Sequence, residues 1–227
     1  IIIMCDDDNL VRKVKNELDI SFPKSNYDLC NLKTLTGGQA ITCLEATDKK
    51  KLNSPVTITA CDHSVLYNEK AFFELIDESS SYDVIVWAYR GHVNAKRYPH
   101  MYGWIDENNK IIKSISVKKQ LSNPSKDPIV IGTFTYKNFD IFKRSANSMI
   151  KRKAMINDEY YVDTSINDAI NLGYKCIIFE VDYYFCWGTP NELKTYNYWQ
   201  SCFDKWSKHP YKKSLDKVLK LDKLIHD

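Results

Sequence analysis

The chain has 227 residues, 44% hydrophobic and 27% charged, with 32 basic side chains against 29 acidic ones and a formal net charge of +3. That length supports a proper core without disulfides, the apolar share excludes intrinsic disorder, and no run reaches the roughly 18 apolar residues of a membrane span. A charge so nearly balanced leaves no nucleic-acid footprint, and only 7 glycines leave little room for glycine-rich phosphate loops.

Residues 1–5, Ile-Ile-Ile-Met-Cys, read as a buried strand. Asp6-Asp7-Asp8-Asn9 then supplies N-cap chemistry for an amphipathic helix over 10–18. A start inside a core strand predicts further residues before Ile1. Residues 36–46 open on Gly37-Gly38 and continue as a helix, and the β-branched strand 56–60 ends in Cys61-Asp62-His63. A helix over 69–77 and a strong strand over 83–90 follow. Residues 102–105 and 111–117 form a hairpin turned by Asp106-Glu107-Asn108-Asn109. After a polar loop at 124–128 come a strand at 129–136, helices at 139–151 and 164–171, and a buried strand at 176–181. A long helix over 191–206 follows Gly188-Thr189-Pro190, and the tail 214–225 has apolar residues at helical spacing with lysines between.

Strands separated by helices predict an α/β fold: a mixed, mostly parallel central sheet with helices on both faces. Residues 1–206 form one domain and 207–227 a helical tail, packed on its own domain or on a second copy in a homo-oligomer. The seven cysteines, at 5, 30, 43, 61, 176, 186 and 202, form no C-x-x-C pair. Scattered thiols in odd number point to small core residues and a reducing cytoplasm.

Open α/β sheets bind ligands at the carboxyl ends of their strands. Asp62 follows such a strand, where a carboxylate suits magnesium bridging phosphates, although a turn aspartate before Ser64 reads equally well. Thr36-Gly37-Gly38-Gln39 precedes a helix, whose N-terminal N–H groups favour anionic or carbonyl oxygens, and a plain turn is the alternative. Lys118 and Lys119 end the hairpin strand, able to meet a phosphate or simply to face water. Asp182 lies at a second strand end, so Asp62 and Asp182 could share one magnesium, an arrangement that serves nucleotidyl transfer by positioning and charge neutralisation. The five histidines have no zinc-ligand spacing, and only His63, beside Asp62, falls at a candidate site. No G-x-S-x-G, Walker A loop or G-x-G-x-x-G occurs.

In order, Thr36-Gly37-Gly38-Gln39-Ala40-Ile41-Thr42, the strand ending at Asp62, Val117-Lys118-Lys119-Gln120-Leu121-Ser122 and Gly132-Thr133-Phe134 are joined by two later segments. These are Asn157-Asp158-Glu159-Tyr160-Tyr161-Val162 and Trp187-Gly188-Thr189-Pro190-Asn191-Glu192-Leu193. Together they resemble the sugar-phosphate nucleotidyltransferase family, whose members join a nucleoside triphosphate to a phosphorylated substrate and release pyrophosphate. The resemblance implies a Rossmann-like nucleotidyltransferase fold of the glycosyltransferase-A kind and a magnesium-dependent in-line displacement at the α-phosphorus. It puts Thr36, Gly37, Gly38, Gln39 and His63 at the nucleotide, with Gly38 and Gln39 on the base. Asp62 would hold magnesium with Asp182 as second ligand, Lys118 or Lys119 the acceptor phosphate, and Glu159 the acceptor. Asp62 and Lys118 would be the catalytic pair.

The chain departs from the family pattern twice. The glycine-rich loop with its basic residue after the first strand is absent, and Cys186-Trp187 stands where sugar-specific members carry an Asp before G-T-P. The Trp187 segment and Tyr198-Trp199-Gln200 resemble members from bacterial capsule clusters, which implies CTP and a small phosphorylated capsule precursor such as phosphoglutamine. Sugar 1-phosphate and choline phosphate are alternative acceptors. Two other readings compete: Asp6-Asp7-Asp8 resembles the D-x-D of metal-dependent glycosyltransferases, and a chain lacking the loop could be an inactive binding domain.

Overall fold

The structure, a computed structural model, describes residues 2–5, 8–32, 34–47, 54–77 and 81–208. The tail 214–225 and Asp6-Asp7 of the D-x-D segment lie outside the described residues. In chain order the elements are β1 (Ile2–Cys5), α1 (Asp8–Ser21), β2 (Leu29–Leu32), α2 (Gln39–Thr47), β3 (Val56–Thr59), β4 (His63–Leu66), α3 (Glu69–Asp77) and β5 (Val84–Arg90). There follow α4 (Val93–Arg97), a 3-10 turn (Pro99–Met101), β6 (Gly103–Asn108), β7 (Ile111–Val117), β8 (Pro128–Tyr136), α5 (Phe139–Lys151), α6 (Val162–Asn171), β9 (Cys176–Glu180), β10 (Tyr183–Cys186) and α7 (Pro190–Lys208).

The chain divides into two compact units, one made of residues up to Cys61 with Val65–Tyr184, the other of Asp62–Ser64 and the segment from Phe185 onward. A six-stranded sheet in the order β3-β8-β5-β9-β7-β6 organises the first. The sheet is mixed, as expected, but it is not mostly parallel. Only β5–β9 pairs in parallel within it, while β3–β8, β5–β8, β6–β7 and β7–β9 are antiparallel. Two features impose this. β8 runs back between β3 and β5, and β6–β7 is a tight hairpin. That hairpin also turns later than its sequence suggests: β6 continues through Asp106, and the turn is made by Asn109 and Lys110, both at positive φ (52° and 66°). β1 and β2 form a separate parallel pair.

Alternation along β5 explains the two cores. Val84, Val86 and Ala88 face a cluster shared with Ala40 of α2, Phe142 and Met149 of α5, and Ile166 of α6. Ile85 and Trp87 face another, with Phe72 of α3 and Ala95 of α4. Helices therefore cover both faces of the sheet. On the first face α5 and α6 are tied by Arg152, which grips buried Asp168 through Nε and Nη2 at 2.7–3.1 Å, with Ser148 Oγ donating to Asp168 at 3.0 Å. The side-chain amide of Asn167 pairs with the backbone of Ile115 in both directions at 2.8 Å, fixing α6 against β7.

Candidate functional site

Two motifs distant in sequence meet in the first unit. Asn157 and Asp158, at φ 51° and 61°, make the two-residue turn that lets Ile156 and Glu159 exchange backbone hydrogen bonds (3.0 and 3.1 Å). Tyr160 then docks on the glycine turn: its N–H donates to Gly37 (2.9 Å), and its carbonyl accepts from Ala40 (3.0 Å) at the start of α2. Gly38 lies so close to this segment that a Cβ there would stand 2.6 Å from Tyr160 N and 2.8 Å from Tyr160 O, with the Cβ of Glu159 at 3.2 Å. Its φ of +118° is a second reason for glycine. Thr36 Oγ1 donates to the Gly38 carbonyl (3.1 Å), as does Thr42 Oγ1 (3.2 Å), and the two hydroxyls bond each other. Gly37, Gln39 and Glu159 are exposed. The expected nucleotide-side residues Thr36, Gly37, Gly38 and Gln39 thus share one surface with the expected acceptor residue Glu159.

Lys118 belongs to the same neighbourhood. Its backbone is left-handed (φ 58°), its N–H donates to the Tyr102 carbonyl (2.9 Å), and its ammonium donates to Tyr161 Oη (2.9 Å). Lys119 is exposed, and its carbonyl accepts from Ser116 Oγ at 2.6 Å. Two residues that the sequence reading passed over complete the group. Tyr161 partners Lys118, and Asp163, the second residue of α6, puts Oδ2 where a Cβ on Gly103 would be 2.8 Å away. Burial pushes the Asp163 carboxyl up to about 6, against the downward pull of the Thr164 N–H and of Lys118. The signal available in the sequence was the Asn157-Asp158 pair, a left-handed turn signature opening a segment that runs straight into Asp163.

Asp62 lies in the second unit. It sits in the bend between β3 and β4, with its side chain about half exposed (55%). Trp187 N–H donates to the Asp62 carbonyl at 3.0 Å, and a Cβ on Gly188 would lie 2.6 Å from Asp62 Oδ2. His63 places Nδ1 3.9 Å from Asp62 Oδ1, but its ring is only 5% exposed. Burial lowers its pKa more than Asp62 raises it, so the imidazole is neutral at pH 7. The ring backs the carboxylate and offers little surface to a base. Just beyond Gly188, Thr189 and Glu192 form a capping box. Glu192 Oε2 accepts from Thr189 N (3.2 Å) and Oγ1 (3.0 Å), Glu192 N donates to Thr189 Oγ1 (3.2 Å), and Pro190 fills the first helical position. The G-T-P segment is thus the start signal of α7.

Asp182, in the first unit, is exposed just past β9, and its N–H donates to Leu66 O at 2.9 Å. Before it, Glu180 accepts from Arg90 (3.1 Å), which also donates to Glu107 (3.1 Å) and to the Lys126 carbonyl (2.6 Å). Among the described residues no group of three or more His, Cys, Asp and Glu side chains could hold a metal. Magnesium bound through one or two carboxylates, substrate phosphates and water does not require such a group, and an exposed oxygen donor such as Asp62 fits it. The six described cysteines are free thiols, and burial pushes Cys43 up to about 11 and Cys176 to about 12, as core thiols. Among the described residues no helix is long and apolar enough to cross a membrane.

No protein-family model matches the sequence, and neither does any curated protein. Solved structures do match by fold. The nucleoside-diphosphate-sugar pyrophosphorylase from Vibrio cholerae RC9 aligns with a TM-score of 0.67 at 14% identity, covering 86% of this chain and 78% of that one. The inositol-1-phosphate CTP transferase from T. maritima gives 0.59 at 12%, over 87% and 74%. CMP:2-keto-3-deoxy-manno-octonic acid synthetase complexed with CTP gives 0.60 at 11%, over 88% and 80%. The chain has the fold of these nucleotidyltransferases.

Proposed function

We propose that the chain is a nucleotidyltransferase that moves CMP from CTP to a small phosphorylated acceptor and releases pyrophosphate. The observation that carries this reading is the meeting of the T-G-G-Q-A turn, Glu159 and the Lys118 ammonium around one segment, 156–163. It supplies neighbouring surfaces of the kinds a nucleotide and a phosphorylated acceptor require. CTP is favoured because two of the solved structures sharing the fold are described with CTP. The capsule-type sequence endings support a phosphorylated capsule precursor as acceptor, with sugar 1-phosphate or choline phosphate as alternatives.

In this reading an acceptor phosphate oxygen attacks the α-phosphorus in line, the bond to the bridging oxygen breaks, and pyrophosphate leaves with the electron pair. Lys118 holds the acceptor phosphate and offsets its charge. The turn at Gly37-Gly38 and the first turn of α2, with Gln39, receive the base, and Glu159 faces the acceptor. Asp62 would hold magnesium, which would neutralise charge developing on the phosphates. Its carboxylate is kept in place by Gly188 and buried His63.

The test is pyrophosphate release from each of four nucleoside triphosphates with magnesium, against phosphoglutamine-like, choline-phosphate and sugar 1-phosphate acceptors. CTP with one of them should turn over, and Asp62→Ala should abolish it. No turnover with any pair would remove the enzyme reading and favour a binding domain.

A further inference from the structure

The carboxylate of Asp163 is placed where a charge is expensive. Oδ1 is shut off from solvent and has no hydrogen-bond partner among the described residues, and Oδ2 rests on Gly103. The backbone N–H groups of Asp163 and Thr164 donate to this carboxylate, yet Oδ1 stays unpaired, and an unpaired buried carboxylate oxygen is costly. Gly103 is the register partner of Val117, so the carboxylate lies beneath the strand pair that leads into Lys118. Lys118 is itself held in the left-handed region and hydrogen-bonded to Tyr161, two residues before Asp163. Tyr136, buried on β8 and held neutral by that burial, also faces Asp163, β6 contributes Gly103, and Tyr161 at the head of α6 holds the Lys118 ammonium. Among the described residues, Lys118 is the cation that acts on it.

We propose that Asp163 is the resident counter-ion of Lys118, and that a dianionic phosphate docking on Lys118 drives Asp163 to take up a proton from solvent. The inference rests on reading Lys118 as the acceptor-phosphate site. Once the dianion arrives, the ammonium is shared, and the carboxylate faces added negative charge in a medium that solvates it poorly. The neutral acid then becomes the stable form. Because the free group already titrates at about 6, this exchange falls within the ordinary pH range of a cell. Asp163 touches no substrate in this scheme. It is a positioning residue that makes acceptor affinity pH-dependent.

Inorganic sulfate is the probe, since it stays dianionic throughout the range and brings no titration of its own. Calorimetry between about pH 5.5 and 8 should show wild-type affinity falling about tenfold as pH rises, the size expected when a nearby like charge raises a carboxyl pKa by about one. Asp163→Asn should bind at the low-pH affinity throughout, and Lys118→Met should lose the site. Equal pH dependence in wild type and Asp163→Asn, with binding still lost in Lys118→Met, overturns the counter-ion and leaves Lys118 as the anion site. Unchanged binding in Lys118→Met overturns both. If Asp163→Asn does not fold, NMR titration of the wild-type Asp163 carboxyl carbon decides. A pKa raised by sulfate supports the exchange, and one unmoved by sulfate overturns it.

Discussion

Gly188 leaves Asp62 the space it occupies: a Cβ on Gly188 would lie 2.6 Å from Asp62 Oδ2 and 3.4 Å from its Cγ. The nearest obstacle is the end of a side chain, so Gly188→Ala would move the carboxylate and spare the backbone. A misplacement of about 1 Å at a catalytic group costs on the order of 100-fold in rate. Under the proposed role of Asp62, Gly188→Ala should therefore lower kcat/KM by about that factor with a shift in Tm of only a few degrees. In the double variant with Asp62→Ala, the glycine substitution should add nothing further.

Gly38 presents the opposite case. The atoms its Cβ would meet are the backbone N and O of Tyr160, at 2.6 and 2.8 Å, and its φ is +118°. Neither obstacle can rotate away. Gly38→Ala should cost about 3 kcal/mol or more by chemical denaturation, and Tyr160→Ala should not rescue it, because the clash is with main chain. Gly37→Ala, whose nearest neighbour would be 3.8 Å away, should stay within about 0.5 kcal/mol of wild type.

These two glycines show what was legible in the sequence and what was not. Periodicity found β5, β8, β9, α5 and α6 to within two residues, because each buries a regular face. It did not give strand direction, which for β8 depends on pairings with β3 and β5 far away in sequence. β2, β4 and β10, four residues each, are too short to leave a periodic signal. Gly38 was picked out as a ligand-approach residue, yet its closest neighbour is Tyr160, reached through backbone bonds that no local pattern encodes. Asp163 was missed for a similar reason: its character comes from Gly103 and Lys118, brought to it by the hairpin of β6 and β7.

The Arg152–Asp168 pair should respond asymmetrically to mutation. Asp168 has a side chain only 2% exposed, whereas that of Arg152 is 48% exposed. Removing the cation strands a buried carboxylate, while removing the anion lets the guanidinium turn to water. Arg152→Met should destabilise by about 3 kcal/mol, and Asp168→Asn by clearly less. Equal losses by urea denaturation would contradict this account.

The capping box makes a more local prediction. Thr189 and Glu192 satisfy each other's groups at the start of α7, so Thr189→Ala should cost about 1 kcal/mol while Thr189→Ser is nearly neutral. Helical circular dichroism during thermal unfolding would read both. The effect belongs to α7, so residual activity per folded molecule should change little.

Asp163 should reveal itself in stability as well as in binding. Its folded pKa of about 6 lies above the ordinary 3.8, so between those values the folded chain holds the proton more tightly than the unfolded one. Stability from this group is therefore complete below about pH 4 and is lost as pH rises through 6, up to about 3 kcal/mol. An uncharged isostere has no such loss. Asp163→Asn should match wild type near pH 4 and exceed it at pH 8, its advantage growing between the two and then levelling off. Denaturation midpoints measured across that range check the sign directly. A variant less stable than wild type at pH 8 would mean that the carboxylate stabilises the fold, and the cost ascribed to its burial would be wrong.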